Sequence, residues 1–159
     1  MEIAILAAGC FWGVQYYFDQ VPGVVKTTVG YCGGHTKDPT YEEVVFHHTG
    51  YAEAVLIEFN TSILSYKILI KQFFRMHDPT QLNRQGPDVG DMYRSTIFYL
   101  NPEQKQIAEI IRDEVQLKIN KTVVTQLVPP TKFYKAELYH QKFTEKTGLG
   151  MCHIPYKPV

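Results

Sequence analysis

Gly9, Cys10, Phe11, Trp12 and Gly13 set one thiol between two glycines, beside the only tryptophan of the chain. A short apolar run, residues 3–8, precedes them. Phe11, Val14, Phe18 and Val21 follow at i, i+3, i+7 and i+10, the spacing of one helix face. Strand, turn and helix in that order put Cys10 at a helix N-terminus. There the unpaired N–H groups and the helix dipole favour an anion. A thiol so placed loses its proton more readily, and thiolate is the reactive form. A free cysteine can also be a small buried side chain that fills a gap. The five residues alone leave both readings open.

Glu53 is the second residue with chemical promise. In the pattern of residues 52–59 it shares a strand face with Val55, Ile57 and Phe59, while Ala52, Ala54, Leu56 and Glu58 share the other. A carboxyl turned toward apolar neighbours is desolvated. Its pKa rises, and it becomes an acid able to donate a proton near neutral pH. The alternative is a solvated carboxylate at a fraying strand end.

The remaining elements must position these two groups. Pro22-Gly23 ends the first helix. Residues 24–31 read as a strand, 32–40 as a glycine- and proline-bearing loop, and 41–46 as one or two helical turns. Tyr66, Leu69, Ile70, Phe73, Phe74 and His77 have helical spacing after the N-cap Ser65. Residues 77–92 form a long loop, a length that is usually functional or disordered. A strand over 95–100 is followed by a helix opened by Asn101-Pro102, with Ile107, Ile110, Ile111 and Val115 on its apolar face. Residues 122–128 read as a last strand ended by Pro129-Pro130, and 136–143 as a short helix. The order predicts an α+β, ferredoxin-like two-layer sandwich with a βαββαβ core, an extra helix and strand, and an irregular C-terminal tail. One catalytic domain over 1–159 is expected, with 144–159 a mobile tail carrying Cys152.

Composition excludes several classes. The chain has 159 residues with 16 basic and 16 acidic side chains. Neither a nucleic-acid stripe nor an acidic disordered tract is expected. No signal peptide pattern and no membrane-length apolar run are visible. Three cysteines, Cys10, Cys32 and Cys152, are too few and odd in number for a secreted disulfide framework. A cytoplasmic protein with functional thiols fits. The six histidines are scattered without a CxxC or HExxH partner motif, so no metal site is expected. His77 reads as the end of a helix.

Beyond Gly9-Cys10-Phe11-Trp12-Gly13, further motifs recur in order: Gly30-Tyr31-Cys32-Gly33-Gly34-His35, Thr40-Tyr41-Glu42-Glu43-Val44 and Thr49-Gly50-Tyr51-Ala52-Glu53. Then come His77-Asp78-Pro79-Thr80, Asn83-Arg84-Gln85-Gly86-Pro87-Asp88-Val89-Gly90, Tyr93-Arg94-Ser95, Phe133-Tyr134, Ala136-Glu137 and Tyr139-His140-Gln141. Together they resemble the peptide methionine sulfoxide reductase A family over nearly the whole chain.

The resemblance implies reduction of the S epimer of methionine sulfoxide, free or protein-bound. Cys10 would attack the sulfoxide sulfur. Glu53 would protonate the departing oxygen, Tyr41 and Tyr93 would hold it with their hydroxyls, and Asp88 would support them. Phe11 and Trp12 would receive the S-methyl group, although either can also be helix-start core packing. The Cys10 sulfenic acid would condense with Cys152, and thioredoxin or another dithiol would reduce the disulfide. No bound cofactor, no nucleic-acid or membrane partner, and a monomer are expected.

Three departures stand out. Tyr51 replaces the family's usual histidine near the acid, Cys32 replaces a small apolar residue, and Met92 stands where glutamine is common. Cys32 reads better as a packed thiol than as a third redox partner. Cys152 is the only tail cysteine, which favours a direct Cys10–Cys152 bond. Other classes are a thiol peroxidase or redox sensor, a non-catalytic reader of oxidised methionine, and a cysteine hydrolase, for which the sequence places no histidine base.

Overall fold

Strand β1 (Glu2–Ala8) is the axis of the sheet. Its side chains alternate, as the pleat requires. Ala4, Leu6 and Ala8 enter a large core cluster on one face, and Ile5 and Ala7 enter a smaller cluster on the other. The structure is a computed structural model and describes residues 1–151. After β1 come α1 (Phe11–Asp19), β2 (Val24–Cys32), α2 (Tyr41–Phe46), β3 (Ala52–Phe59) and α3 (Tyr66–Arg75). A small hairpin follows, β4 (Arg84–Gln85) and β5 (Asp88–Val89), then β6 (Ser95–Phe98) and α4 (Pro102–Lys118). The chain continues with β7 (Gln126–Val128), β8 (Tyr134–Lys135) and α5 (Phe143–Thr147).

The six-stranded sheet has the order β7-β6-β1-β3-β2-β8. Strand β7 joins β6 in parallel, and the other neighbours are antiparallel. The fold is therefore mixed α+β with a mostly antiparallel sheet. Val55, Ile57 and Phe59 of β3 lie in the larger cluster with Phe11, Val14 and Phe18 of α1 and Leu69, Ile70 and Phe73 of α3. Ala52, Ala54 and Leu56 lie on the opposite face, so the alternation read from the sequence holds.

Helix starts follow their caps. Ser65 Oγ accepts from Ile68 N at 3.2 Å, and Asn101 Oδ1 accepts from Gln104 N at 2.9 Å. Thr40 and Glu43 form a reciprocal capping box at α2. That cap sets the first residue of the helix, Tyr41.

Four segments depart from the sequence expectation, two of them because a side chain takes backbone groups that regular structure would have used. The strand expected over 122–128 is ordered as β7 only from Gln126. Upstream, Val123 N donates to Gln116 Oε1 and Val124 N to the Pro79 carbonyl, both at 2.8 Å. In place of a helix over 136–143 there is a 3-10 turn at Leu138–His140. Lys142, at φ 59°, then breaks the path before α5. Gln141 is the cause: its amide accepts from Val29 N at 3.0 Å and donates to Val29 O at 2.9 Å, acting as a one-residue strand partner. The loop 77–92 contains the β4–β5 hairpin. Strand β8, not foreseen, pairs with Gly30 and Tyr31. A Cβ on Gly30 would stand 2.3 Å from the Tyr134 carbonyl oxygen, so only glycine admits this strand.

Candidate active site

Cys10 lies in the turn between β1 and α1, directly before the first helical residue. Gly9 makes that turn at φ +100°, a backbone conformation glycine takes at little cost. Cys10 is buried, at 7% exposure. The next peptide, Phe11 N–H, would ordinarily be an unpaired donor of the first helical turn. It donates instead to Glu53 Oε1 at 3.1 Å.

Glu53 comes from β3, opposite Tyr31 of β2, and is 1% exposed. Burial pushes its carboxyl up from 4.5 to about 8; the Phe11 N–H bond opposes the shift and the Asp88 carboxylate adds to it. The group therefore keeps its proton at neutral pH.

Tyr41 opens α2, and its backbone N–H donates to Glu137 Oε2 at 2.9 Å. Tyr93 closes the 3-10 turn Asp91–Tyr93 just before β6. Burial, then the charges of Glu53 and Cys10, push the Tyr41 phenol up to about 12, while a hydrogen bond with Tyr93 acts the other way. Tyr93 is raised by burial first, then by Glu53, Tyr41, Cys10 and Asp88. Thiol, carboxyl and both phenols thus lie within one another's fields. Both phenols remain neutral and able to donate at physiological pH.

Asp88 is held by the hairpin, where it pairs in register with Gln85. Gln85 is buried, and its amide clasps Asp78: Oε1 accepts from Asp78 N and Nε2 donates to Asp78 O, both at 2.8 Å. The long loop that carries Asp88 and Tyr93 is thereby tied to the end of α3.

Trp12 is partly buried. Its indole N–H donates to His140 Nδ1 at 2.8 Å, and its ring stacks on Phe143 at 3.9 Å. Since Nδ1 accepts, the proton of His140 is on Nε2. Burial lowers the pKa of His140, with Glu137 opposing. Phe11 is 1% exposed, with its ring 5.7 Å from that of Tyr31 and 5.2 Å from that of His140. The structure thus gathers Cys10, Phe11, Trp12, Tyr41, Glu53, Asp88 and Tyr93 at one end of the sheet. Cys152 lies outside the described residues. The chain before it runs against Trp12: a Cβ on Gly150 would stand 3.0 Å from Trp12 Cβ.

His140, Glu137, Gln85 and Gln141 were not singled out as supports from their sequence. Their motifs were visible, but the contacts join residues far apart, as in Trp12–His140 and Gln141–Val29. Tyr51 turns its hydroxyl to the Thr36 carbonyl and lays its ring against Gly34, where a Cβ would come within 2.3 Å. Cys32 is fully buried, with Sγ 3.6 Å from the Thr131 carbonyl oxygen and its thiol pushed up by burial, as a packed thiol should be. Met92 is packed in the core. Among the described residues, no three His, Cys, Asp or Glu side chains are grouped to hold a metal ion. No helix among them is long and apolar enough to cross a membrane.

This architecture recurs in solved structures. The reduced form of Mxr1 from Saccharomyces cerevisiae superposes with a TM-score of 0.92 at 32% identity, over 99% of this chain and 91% of that one. The same yeast protein has been solved in complex with Trx2, with a TM-score of 0.64 at 24% identity over 89% of this chain and 84% of that one. A probable peptide methionine sulfoxide reductase of Schizosaccharomyces pombe is 53% identical over 156 residues, 94% of this chain and 92% of its own. Peptide methionine sulfoxide reductase MsrA of Methanosarcina acetivorans is 51% identical over 150 residues, 93% of this chain and 80% of its own. The family model for peptide methionine sulfoxide reductase matches residues 2–159, and the chain belongs to that family. It is an oxidoreductase that returns methionine sulfoxide to methionine.

Proposed function

We propose that Cys10 is the nucleophile, Glu53 the proton donor, and Tyr41 and Tyr93 the hydrogen-bond donors to the sulfoxide oxygen. The Cys10 thiolate attacks the sulfur as the S–O bond breaks. The oxygen leaves onto Cys10 with the Glu53 proton, giving methionine and a sulfenic acid. Burial keeps Glu53 protonated, and the charge of Asp88 adds to that effect. Trp12, fixed by His140 and Phe143, and Phe11 receive the S-methyl group of the S epimer. One observation carries this reading: the peptide that follows the thiol binds a buried carboxyl with a pKa near neutral, so acid and nucleophile are held by adjacent atoms of one helix start.

Cys152 then attacks the sulfenic acid, water leaves, and a disulfide forms. Two features support this step. Gly150 packs on Trp12, two residues after Cys10, and two further residues of chain reach at most about 7 Å. A thioredoxin or similar dithiol reduces the disulfide; the Mxr1–Trx2 complex supports that choice of reductant. The unit works as a single domain, as a monomer and in the cytoplasm, where an odd and small number of cysteines is unremarkable. The order β6-β1-β3-β2 with antiparallel neighbours supports a ferredoxin-like core.

The test mixes fully reduced protein with each epimer of a methionine sulfoxide peptide, without external reductant. About one methionine per chain from the S epimer, with a Cys10–Cys152 disulfide by mass spectrometry, is expected for this two-thiol cycle. Turnover of hydroperoxide with no methionine from either epimer would overturn it in favour of a thiol peroxidase.

A further inference from the structure

A buried polar chain joins His77, Ser95 and Thr125. His77 follows the end of α3 and is fully buried. Its Nδ1 is 2.7 Å from the Phe73 carbonyl oxygen, and its Nε2 is 2.7 Å from Ser95 Oγ. A carbonyl can only accept, so Nδ1 carries a proton, and in the neutral imidazole Nε2 then accepts from the Ser95 hydroxyl. Ser95 Oγ in turn lies 2.8 Å from Thr125 Oγ1, whose hydroxyl donates to it. Four segments meet at this imidazole and hydroxyl: the end of α3, the start of the long loop, the first residue of β6, and the chain entering β7.

The place of Ser95 gives the contact its consequence. Ser95 is two residues after Tyr93 and pairs in register with Ala8, which is two residues before Cys10. A shift of Ser95 would therefore move the segment carrying the phenol relative to the strand carrying the thiol. The backbone of β6 pairs with β1 only through Phe98, so Ser95 is the end residue of its ladder. At a ladder end, backbone hydrogen bonds alone leave the direction of the departing chain loosely set. The imidazole supplies the missing constraint, and being aromatic and wedged 4.4 Å from the Phe73 ring, it has no freedom of its own.

We propose that His77 is a positioning residue for the reduction: by fixing Ser95 it sets the distance between the Tyr93 hydroxyl and the Cys10 sulfur. The inference rests on the sulfoxide-reducing role of Tyr93 and Cys10. It assigns no contact between His77 and substrate. The lever is geometric, so the step affected is bond making at sulfur, while the Phe11–Trp12 pocket, held from the other side by His140, keeps its affinity.

Two substitutions separate this from ordinary stabilisation. His77→Asn keeps a donor where Nδ1 stands, for the Phe73 carbonyl, and loses the acceptor for Ser95. His77→Gln carries its amide to the Nε2 position and keeps that acceptor. Single-turnover methionine formation is measured in each, with thermal melts to confirm folding. His77→Asn should slow the reaction about tenfold at saturating sulfoxide, against the roughly hundredfold a misplacement of 1 Å can cost. KM should stay within about twofold and His77→Gln within about threefold of the native rate, the pattern of an interaction made in the transition state. In a Tyr93→Phe background the His77→Asn loss should shrink to less than about twofold, because the two changes act through one hydroxyl. If His77→Asn does not melt cooperatively, Ser95→Ala is read in the same cycle. A folded His77→Asn or Ser95→Ala protein with the native rate, or with the same loss in both backgrounds, would overturn the proposal. A native chain that forms no methionine would overturn the reading of the site itself.

Discussion

The backbone N–H of Phe11 donates to the Glu53 carboxyl across 3.1 Å, in a place where the carboxyl is almost wholly buried. One helix start therefore follows the Cys10 thiol directly and gives its first peptide N–H to the Glu53 carboxyl. The relationship also carries a cost. Burial outweighs the hydrogen bond, and the net effect raises the pKa.

Glu53→Gln tests both sides of that balance. The amide oxygen can still accept from Phe11, but no proton can be given. Methionine formation should fall by about 10²–10⁴, the usual contribution of a positioned acid. Stability should move the opposite way. Between the unfolded value near 4.5 and the folded value near 8, the folded state holds a proton that the unfolded state has lost. Glu53 thus destabilises the fold progressively as pH rises through that window, by about 1.4 kcal/mol per unit. Melts of the Gln variant should exceed native ones more at the alkaline end of the window than at the acid end. An equal difference at both ends would contradict the raised pKa.

Native activity should follow the same ionisation. The donor form of Glu53 disappears as pH passes about 8, so the single-turnover rate should fall on that limb. The phenols do not produce this limb, since burial pushes Tyr41 up to about 12 and raises Tyr93 as well. The limb should be absent from whatever residual activity Glu53→Gln retains.

Tyr41 and Tyr93 should be partly redundant. The Tyr93 hydroxyl hydrogen-bonds the Tyr41 oxygen, and both phenols lie in the field of the same carboxyl and thiol. Removing one hydroxyl, as in Tyr41→Phe, leaves its partner in place and should cost about tenfold. Removing both should cost about 10²–10³, the range for a lost oxyanion donor. Single-turnover kinetics of the two single variants and the double variant would decide between shared and independent roles.

Trp12 is the only tryptophan, so its fluorescence reports directly on His140. The neutral imidazole accepts from the indole N–H; a protonated one cannot. Burial depresses the pKa of His140 below its ordinary 6.5, so the emission change should have its midpoint below that value. Stability linked to this histidine should be lost as pH falls from 6.5 through that midpoint, because the unfolded state binds the proton first. A fluorescence titration of native protein and His140→Asn checks both the sign and the source; a change that persists in the variant would exclude His140.

Gly150→Ala should separate the two thiol steps. Gly150 has φ +86°, and a Cβ there would press on Trp12 at 3.0 Å. A non-glycine residue in the left-handed region costs about 1–2 kcal/mol. The first methionine should form near the native rate, while disulfide formation slows and sulfenic acid accumulates for trapping. Unchanged disulfide formation would mean that the Trp12 contact does not guide the chain carrying Cys152.

The sequence alone determined the local parts of this protein. Caps at Ser65 and Asn101, the helix spacing after Cys10, and the alternation of β3 depend on residues near one another in the chain, and these were legible. So were the place of Cys10 before a helix and the burial of Glu53, because turn position and strand face are local properties. The multi-residue motifs made the family legible as well. Only the tertiary structure decided that the first peptide of α1 bonds Glu53, that His140 holds Trp12, and that Tyr51 turns to Thr36. It also decided that Gln141 replaces a helix with a bridge to Val29. Each of these is a pairing between groups separated by many residues, chosen where a buried donor and acceptor must find each other or remain unsatisfied. Periodicity records which face of an element is apolar. It does not record which distant partner completes a buried polar group, and in this protein those pairings shape the site.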